Sequence, residues 1–502
     1  MERPIHEIAI EKCGFYLPEK SRYDWLLNLP ESETLAQKVK EAMQDIEKYT
    51  SELYDTLPKD IYYSVNSQDD PLVLAKLLKA FKDIPADVEL DIFGEIYEYF
   101  LGKFALAEGQ GGGEFFTPST VVCYMVKALA PTEGKILDPA CGSCGMFVQT
   151  AHYIERHKAK GNQINLRAYG VEKTGATVKL AKMNLVLNNV RGTITEANSY
   201  YRDPYDSVGN FDYVMANPPF NVDEVELDGV KEQPRFNTYG VPQNKTKKKD
   251  AKETVPNANY LWINQFATAL NENGRAALVM ANSASDAGNS EKDIRIRLIV
   301  SGIISQMVTL PSNMFTSVTL LSTLCFFNRA KEKKDEILFI DARNIFTQID
   351  RAHRKFSDEQ IQNLGIITRL YEGKKEEFDT LLANYRLKLE KAPEISDDED
   401  IMPKSYWQSQ IDWLTERFPD GKYKDVVGLC KVAKIDGEDG IKDQDYSLNP
   451  GRYVGVVIED DGLTEEEFKQ KMMWYYEELS KLNEKAHGLE NTIAANLQEL
   501  FQ

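Results

Sequence analysis

Between residue 1 and about residue 105 the apolar positions recur at helical spacing and almost nothing alternates. Leu35, Val39, Ala42, Met43 and Ile46 mark one helix face, and Leu74, Leu77, Leu78 and Phe81 mark another. The stretch 90–101 predicts a further amphipathic helix. A glycine-rich loop then runs into Glu114-Phe115-Phe116-Thr117-Pro118, where Thr117 is placed to cap a helix and Pro118 to occupy its first turn. Beyond this point the rhythm changes. Residues 135–138 predict a strand, 146–160 a helix, 167–172 a strand and 174–188 a helix. Further strands are predicted at 211–216, 275–280, 303–308 and 323–327. That alternation predicts an α/β fold with a doubly wound, Rossmann-like sheet.

From about Leu463 the pattern changes once more. Phe468, Met472, Tyr475, Leu479, Leu482, Ala486, Leu489, Ile493, Asn496 and Leu500 follow a 4-3 spacing, the a/d seam of a long helix. Gly488 weakens it and Asn496 would be a polar seam position. Either a partner helix or the chain's own domain would satisfy such a seam. The organisation expected is therefore an N-terminal helical domain (1–106), a catalytic α/β domain (107–345), a mixed extension of it (346–455) and a C-terminal helical tail (456–502).

Composition adds limits. With 502 residues, 42% of them hydrophobic and 28% charged, the chain can bury a sizeable core. No apolar run approaches the ~20 residues a membrane-spanning helix needs, and the N-terminus carries charges where a secretory signal would be apolar. Cysteines number 6 and are scattered, which is no disulfide framework. A soluble, cytoplasmic protein without membrane association is expected. The balance of 60 basic against 79 acidic residues, a net charge of −19, argues against tight, unaided nucleic-acid binding. It leaves room for a local basic segment, of which Lys245-Thr-Lys-Lys-Lys249 is the best candidate.

Candidate chemistry sits where the predicted strands end, since open α/β sheets bind ligands at the carboxyl ends of their strands. Asp138 closes the first strand. Behind it, Ala140, Gly142, Ser143 and Gly145 would let a ligand approach the backbone closely. No Lys follows the glycines, so this is not a nucleotide triphosphate loop. Glu172 ends the next strand, where a carboxylate can bind ribose hydroxyls, and the two acids suit a nucleoside better than a polyphosphate. Cys141-x-x-Cys144 lacks the second cysteine pair or close histidines of a zinc site, and no metal is expected. After strand 211–216 come Asn217, Pro218, Pro219 and Phe220. The prolines stiffen the backbone and leave carbonyls free. An amide acceptor, a carbonyl and an aromatic plate suit a planar ring bearing an amino group, although a bare turn would explain the same tetrapeptide.

In this order, Glu114-Phe-Phe-Thr-Pro118, Asp138-Pro-Ala-Cys-Gly-Ser-Cys-Gly145, Tyr169-Gly-Val-Glu172 and Asn217-Pro-Pro-Phe220 resemble the adenine-N6 DNA methyltransferases, and most closely the modification (M) subunits of type I restriction–modification systems. The likeness extends to Phe15-Tyr-Leu-Pro18, Leu57-Pro-Lys-Asp60, Ala181-Lys-Met-Asn184 and Leu448-Asn-Pro-Gly-Arg-Tyr453, and so to nearly the whole chain. Resemblance implies S-adenosyl-L-methionine as cofactor, held by Glu114, Phe115, Phe116, Thr117, Pro118, Ser119, Asp138, Ala140, Gly142, Ser143, Cys144, Gly145, Glu172 and Asn198. It implies methyl transfer to N6 of an adenine flipped from double-stranded DNA, with Asn217, Pro218, Pro219 and Phe220 catalytic. It also implies a specificity (S) subunit bound by two M subunits, and a restriction (R) subunit joining for cleavage. The sequence departs from the family at Cys144, which takes a glycine position, and at Asn198, where many relatives place an Asp. It also lacks the longer helical leader many relatives carry before Phe15, so part of the N-terminal domain is expected to be missing or differently built. Two other readings use the same residues: methylation of RNA or of a protein glutamine amide, and a non-catalytic assembly subunit.

Overall fold

The computed structural model describes residues 3–30, 34–65, 72–82, 117–157, 165–243, 253–315, 321–351, 353–396, 398, 401–457 and 465–500. The predicted helix at 90–101, residues 114–116 and the basic segment 245–249 lie outside them. The chain forms two compact units, Met1–Gly455 and Val456–Gln502.

The first unit is organised by one sheet. Its strands are β1 (Glu133–Asp138), β2 (Asn165–Glu172), β3 (Gly192–Glu196), β4 (Phe211–Ala216), β5 (Leu270–Ala281), β6 (Ile304–Thr309), β7 (Ser322–Asn328) and β8 (Glu336–Asp341). A short hairpin, β9 (Thr347–Gln348) with β10 (Arg354–Lys355), stands apart, and β11 (Cys430–Lys434) returns to the sheet. The 9-stranded order is β11-β8-β6-β7-β5-β4-β1-β2-β3. Strands β3, β2, β1, β4 and β5 are parallel, β7 runs against both β5 and β6, and β11 runs against β8.

The strands hold their place because both faces are apolar. Side chains alternate across the pleat, so Ile136, Ala277, Val279, Leu324, Phe326, Leu338 and Ile340 enter one core. Their neighbours Leu137, Ala276, Leu278, Met280, Cys325, Phe327 and Phe339 enter the other. Helices Ser119–Leu129, Gly145–His157 and Asp358–Tyr371 cover the first face, and Asn259–Ala269 and Asn289–Val300 the second. Near-continuous apolar strands are what a sheet covered on both faces requires.

Several expectations shift in detail. Strand β5 is twice as long as the run at 275–280 implied, β6 is displaced by one residue, β7 is extended by one residue at each end, and β3, β8 and β11 add to the predicted set. Thr117 does not cap the helix that follows. Pro118 itself is the N-cap residue, with φ −55 and ψ 134, and the first helical residue is Ser119. Pro118 has its carbonyl in the right place, accepting from the Val121 and Val122 N–H groups, so the helix starts without a side-chain cap. The N-terminal part is helical, with Ile5–Cys13, Leu35–Tyr49 and Val73–Ala80 as its longer elements. There the Glu47 carboxylate accepts from the Thr56 and Leu57 N–H groups and from Lys59 Nζ at 2.7–2.9 Å.

Among its described residues, the second unit contains one helix, Glu465–Leu500. Phe468, Met472, Tyr475, Leu479, Leu482, Leu489 and Ile493 along it are each 49–60% exposed. Among the described residues no helix is long and apolar enough to cross a membrane.

Candidate active site

Strand β1 pairs with β2 on one side and with β4 on the other, so the chain switches direction across the sheet at β1. A crevice at the carboxyl ends of β1 and its neighbours is the binding position such a sheet offers. Four of the expected segments lie there together: the loop after β1, Glu172 at the end of β2, Asn198 just beyond β3 and the Asn217–Phe220 loop after β4.

The 138–145 loop is fixed from several sides. The Cys141 N–H donates to the Val171 carbonyl on β2 (3.0 Å), and Asn184 Nδ2 donates to the Ser143 carbonyl (2.9 Å). Gly170 makes this close approach feasible, since a Cβ there would stand 2.7 Å from Cys141 Sγ and 2.6 Å from Ile194 Cδ1. Gly142 has φ +50 with nothing within 4 Å of a would-be Cβ, so the loop is open above that point. Cys144, fully buried, takes φ +69, a left-handed conformation that favours glycine. The departure at this position is therefore real in backbone terms: a cysteine occupies glycine geometry.

Asp138 is buried, and its Oδ1 accepts from the Ala140 N–H at 2.9 Å. Burial pushes its carboxyl up to about 8, the Ala140 hydrogen bond opposes that, and the Glu172 carboxylate adds to the rise. Glu172 itself is half-buried, with Oε1 accepting from the Thr174 N–H at 2.8 Å. Asn198 Oδ1 accepts from the Tyr200 N–H (3.0 Å), which commits the oxygen to the local turn and leaves Nδ2 as the donor. Next to it, Ser199 Oγ donates to the Pro139 carbonyl (2.5 Å) and ties the β3 loop to the β1 loop. The two cysteines of the loop are free thiols. Hydrogen bonding with Cys144 and burial hold the Cys141 thiol well above its usual range, so Cys141 does not act as a thiolate. Among the described residues no cluster of His, Cys, Asp or Glu could hold a metal ion.

After β4, Pro218 is buried while Asn217, Pro219 and Phe220 are half-buried. The clamp that sets this loop was not anticipated from the sequence. Asn221, at φ +57, donates its N–H to Asn259 Oδ1 (2.9 Å), and its own Oδ1 accepts from Asn259 Nδ2 (3.0 Å) and Asn257 Nδ2 (3.1 Å). The Ala258 N–H donates to the Val222 carbonyl at 2.8 Å. The first turn of helix Asn259–Ala269 thus grips the residue after Phe220. Its signal in the sequence was the pair Asn257-x-Asn259 ahead of an apolar helix, a turn and N-cap pattern.

Thr117 and Pro118 lead into helix Ser119–Leu129, which packs on helices Gly145–His157 and Asp358–Tyr371. Glu114, Phe115 and Phe116 fall outside the described residues.

The fold and the paired loops at β1 and β4 define the class, a doubly wound α/β enzyme of the methyltransferase type. Residues 88–461 match the family model for N-6 DNA methylases. A type I restriction enzyme methylase subunit (MjaIX) of Methanocaldococcus jannaschii is 33% identical over 97% of this chain and 77% of its own length. Another (HindI), from Haemophilus influenzae, is 32% identical over 98% of this chain and 97% of its own. In structure, the methyltransferase subunit of a type I restriction–modification system from Streptococcus thermophilus shares the fold, with a TM-score of 0.64 at 20% identity, over 90% of this chain and 84% of that one. The chain belongs to the N-6 DNA methylase family, as the methylase subunit of a type I restriction enzyme, and its activity is adenine-N6 methylation of DNA.

Proposed function

We propose that this subunit transfers a methyl group from S-adenosyl-L-methionine to an adenine flipped out of double-stranded DNA, at the crevice between the β1 and β4 loops. The observation that carries the reading is the register: Leu137 on β1 pairs with Val214 on β4, so Asp138 and Asn217 leave neighbouring strands at the same edge. Cofactor and base are thereby served by adjacent loops.

The residues present fit such a cofactor. Gly142 leaves an open cradle that any side chain would fill, and Asp138 and Glu172 offer two acceptors in succession. Asp138, Ala140, Gly142, Ser143, Cys144 and Gly145 would hold it on the β1 side, with Thr117, Pro118 and Ser119 opposite. Glu172 would accept from ribose hydroxyls, and Asn198 Nδ2 would donate to a ring nitrogen of its adenine. When bound, S-adenosylmethionine supplies an electrophilic methyl group on a sulfonium, a good leaving group.

What this chain supplies is position. Asn217 Oδ1 and the Pro218 carbonyl would accept the two N–H bonds of the target amino group, which favours a pyramidal nitrogen with its lone pair available. Pro219 stiffens the turn, and Phe220 offers a stacking face for the base out of its duplex. Holding the nitrogen in line with the methyl makes covalent catalysis unnecessary. After transfer the methylated amino nitrogen would be cationic and strongly acidic. It would lose its proton to solvent water, since the Asn217 and Pro218 oxygens accept hydrogen bonds but are too weak as bases to take it.

Sequence recognition, on this reading, is delegated. The net charge of −19 disfavours independent DNA binding. The half-exposed seam of the C-terminal helix provides a surface for a specificity subunit, two methylase subunits to one, with a restriction subunit joining for cleavage in the cytoplasm. Co-expression with a specificity subunit, followed by mapping of N6-methyladenine in host DNA, tests the whole. Methylation at one defined site is expected, and unmodified adenines throughout would sink the reading.

A further inference from the structure

Strands β5, β6 and β8 run in the same direction as β1 and β4. The segment after β6 (residues 310–315) and the segment after β8 (342–355) therefore leave the edge of the sheet that carries Asn217. The second of these contains the β9–β10 hairpin, and it is held firmly. The Arg354 N–H donates to the Asn313 carbonyl (2.9 Å), Nη1 donates to Ser312 Oγ (3.0 Å), and the guanidinium lies 3.8 Å over the Phe346 ring. Two residues further, the Phe356 N–H donates to Thr120 Oγ1 (3.4 Å), in the first turn of helix Ser119–Leu129. The hairpin is thus bolted to the loop after β6 and to the helix that begins at the expected cofactor motif.

Its chemistry is opposite to that of the chain as a whole. Arg351 and Lys355 are exposed, and among the described residues neither takes part in an ion pair. By contrast Arg343, just upstream, is held by Asp341 at 2.6 Å, and His353 by Asp350 at 2.7 Å. On the other flank of the crevice, shortly after Phe220, the exposed side chains include Asp223 and Glu224. Among the described residues, the edge is acidic just past Phe220 and basic past β8.

We propose that the β9–β10 hairpin is a backbone-phosphate contact for the duplex beside the target base, with Arg351 and Lys355 on phosphates and Arg354 locking the hairpin in place. This rests on the reading that adenine is presented at Asn217. Exposed cations without carboxylate partners exchange their counterions for phosphates at little cost, and each such contact steepens the salt dependence of binding. In a chain of charge −19, two of them on the reactive edge steer the duplex to the β8 flank and away from Asp223 and Glu224.

The test uses the full chain assembled with its specificity subunit. Arg351→Glu/Lys355→Glu is compared with Arg329→Glu/Lys334→Glu, the same change of charge at exposed positions near the opposite edge of the sheet. Duplex affinity is measured by anisotropy between about 50 and 200 mM salt. The hairpin variant should bind at least ~10-fold more weakly at the low end, with a slope of log K on log salt shallower by about 2, roughly one unit for each phosphate left without its cation. The control should change affinity less than ~3-fold with its slope intact. An unaltered melting temperature and cofactor affinity show that the hairpin variant is folded. Equal behaviour of the two variants overturns the proposal. So does intact DNA binding with loss of a protein subunit from the assembly, which would assign the hairpin to an acidic protein surface. Methylation by the wild-type complex is read in parallel. Its absence defeats the catalytic reading and this inference with it, whereas methylation with an unchanged slope defeats the hairpin alone.

Discussion

Asp138 gives the most discriminating prediction. Its carboxyl is buried at the end of β1 and pushed up to about 8, chiefly by burial, with the Glu172 charge adding to it. At pH 7 such a group is ~90% protonated in the free protein, a tenfold preference per unit below its pKa. S-adenosylmethionine is cationic at its sulfonium and ammonium groups, and a cation settling on the 138–145 loop favours the carboxylate. Binding must then expel the proton. The sign follows: affinity should rise with pH below about 8, by up to tenfold per unit, and level off above it. Calorimetry at pH 7 in buffers of different ionisation enthalpy should show release of close to one proton (~0.9) per cofactor bound. Asp138→Asn, nearly the same shape and permanently neutral, should bind more weakly at pH 8.5 by ~1–3 kcal/mol, the usual loss for a charge-assisted hydrogen bond. It should also show no proton release and a flat pH profile. A wild-type profile that is flat between pH 6 and 8.5, or proton release that survives in Asp138→Asn, would show that Asp138 is not the group that meets the cofactor.

The other predictions test separate parts of the molecule. Asn217→Ala should lower methyl transfer by a factor of ~100 or more while cofactor affinity stays within ~2-fold, because the amide acts on the reacting nitrogen alone; unchanged turnover would remove Asn217 from catalysis. At φ +69, Cys144→Gly trades a strained backbone for a lost buried sulfur and should leave stability within ~1 kcal/mol, whereas a β-branched side chain in Cys144→Val should cost ~2 kcal/mol or more; urea denaturation giving the reverse order would contradict the strain argument. On the C-terminal helix, Leu482→Asp or Leu489→Asp should abolish recovery of the specificity subunit in a pull-down while Glu484→Lys does not, because only the seam positions would bury an unpaired charge; full recovery with Leu482→Asp would defeat the seam.

How much of this was legible depended on whether a segment's pattern was long enough to declare itself. Strands β1, β2 and β4 are apolar runs ending in Asp138, Glu172 and Asn217, and each was placed within a few residues because the chemistry marks the strand end. Strand β3 has one buried residue, Ile194, among Gly192, Thr193, Thr195 and Glu196, too little for a period to show. Strand β8 is buried throughout, but a run of charges precedes it that looks like solvated loop. One of those charges is not solvated. Lys331 is buried, its Nζ donates to the Ile304 carbonyl at 2.7 Å and to the Glu336 carbonyl, and burial pushes its pKa down to about 8. Nothing local distinguishes it from exposed Lys333 and Lys334. The asparagine clamp on the Asn217 loop was legible at one end only, as the Asn257-x-Asn259 turn pattern, and its partner was not, for a related reason. It joins Asn221 to Asn259 across 38 residues, and only the fold brings their ends together.

The energetics of the proposed reaction explain why a chain with this site should depend on partners. Taking an adenine out of its stack costs a few kcal/mol. Against that, Phe220 offers a stack worth ~1–3 kcal/mol, and the acceptors at Asn217 and Pro218 contribute about 1 kcal/mol each. The two sides nearly cancel, and the net charge of −19 adds repulsion. Basic contacts such as Arg351 and Lys355 reduce that repulsion but read no sequence. On the proposed reading, a site tuned this way would flip a base only when binding energy arrives from elsewhere, and sequence choice would pass to a subunit held at the seam of helix Glu465–Leu500. A tighter site in the isolated chain would methylate adenines at random. Weak intrinsic binding at the β1–β4 crevice is thus the physical condition for methylation at defined sites.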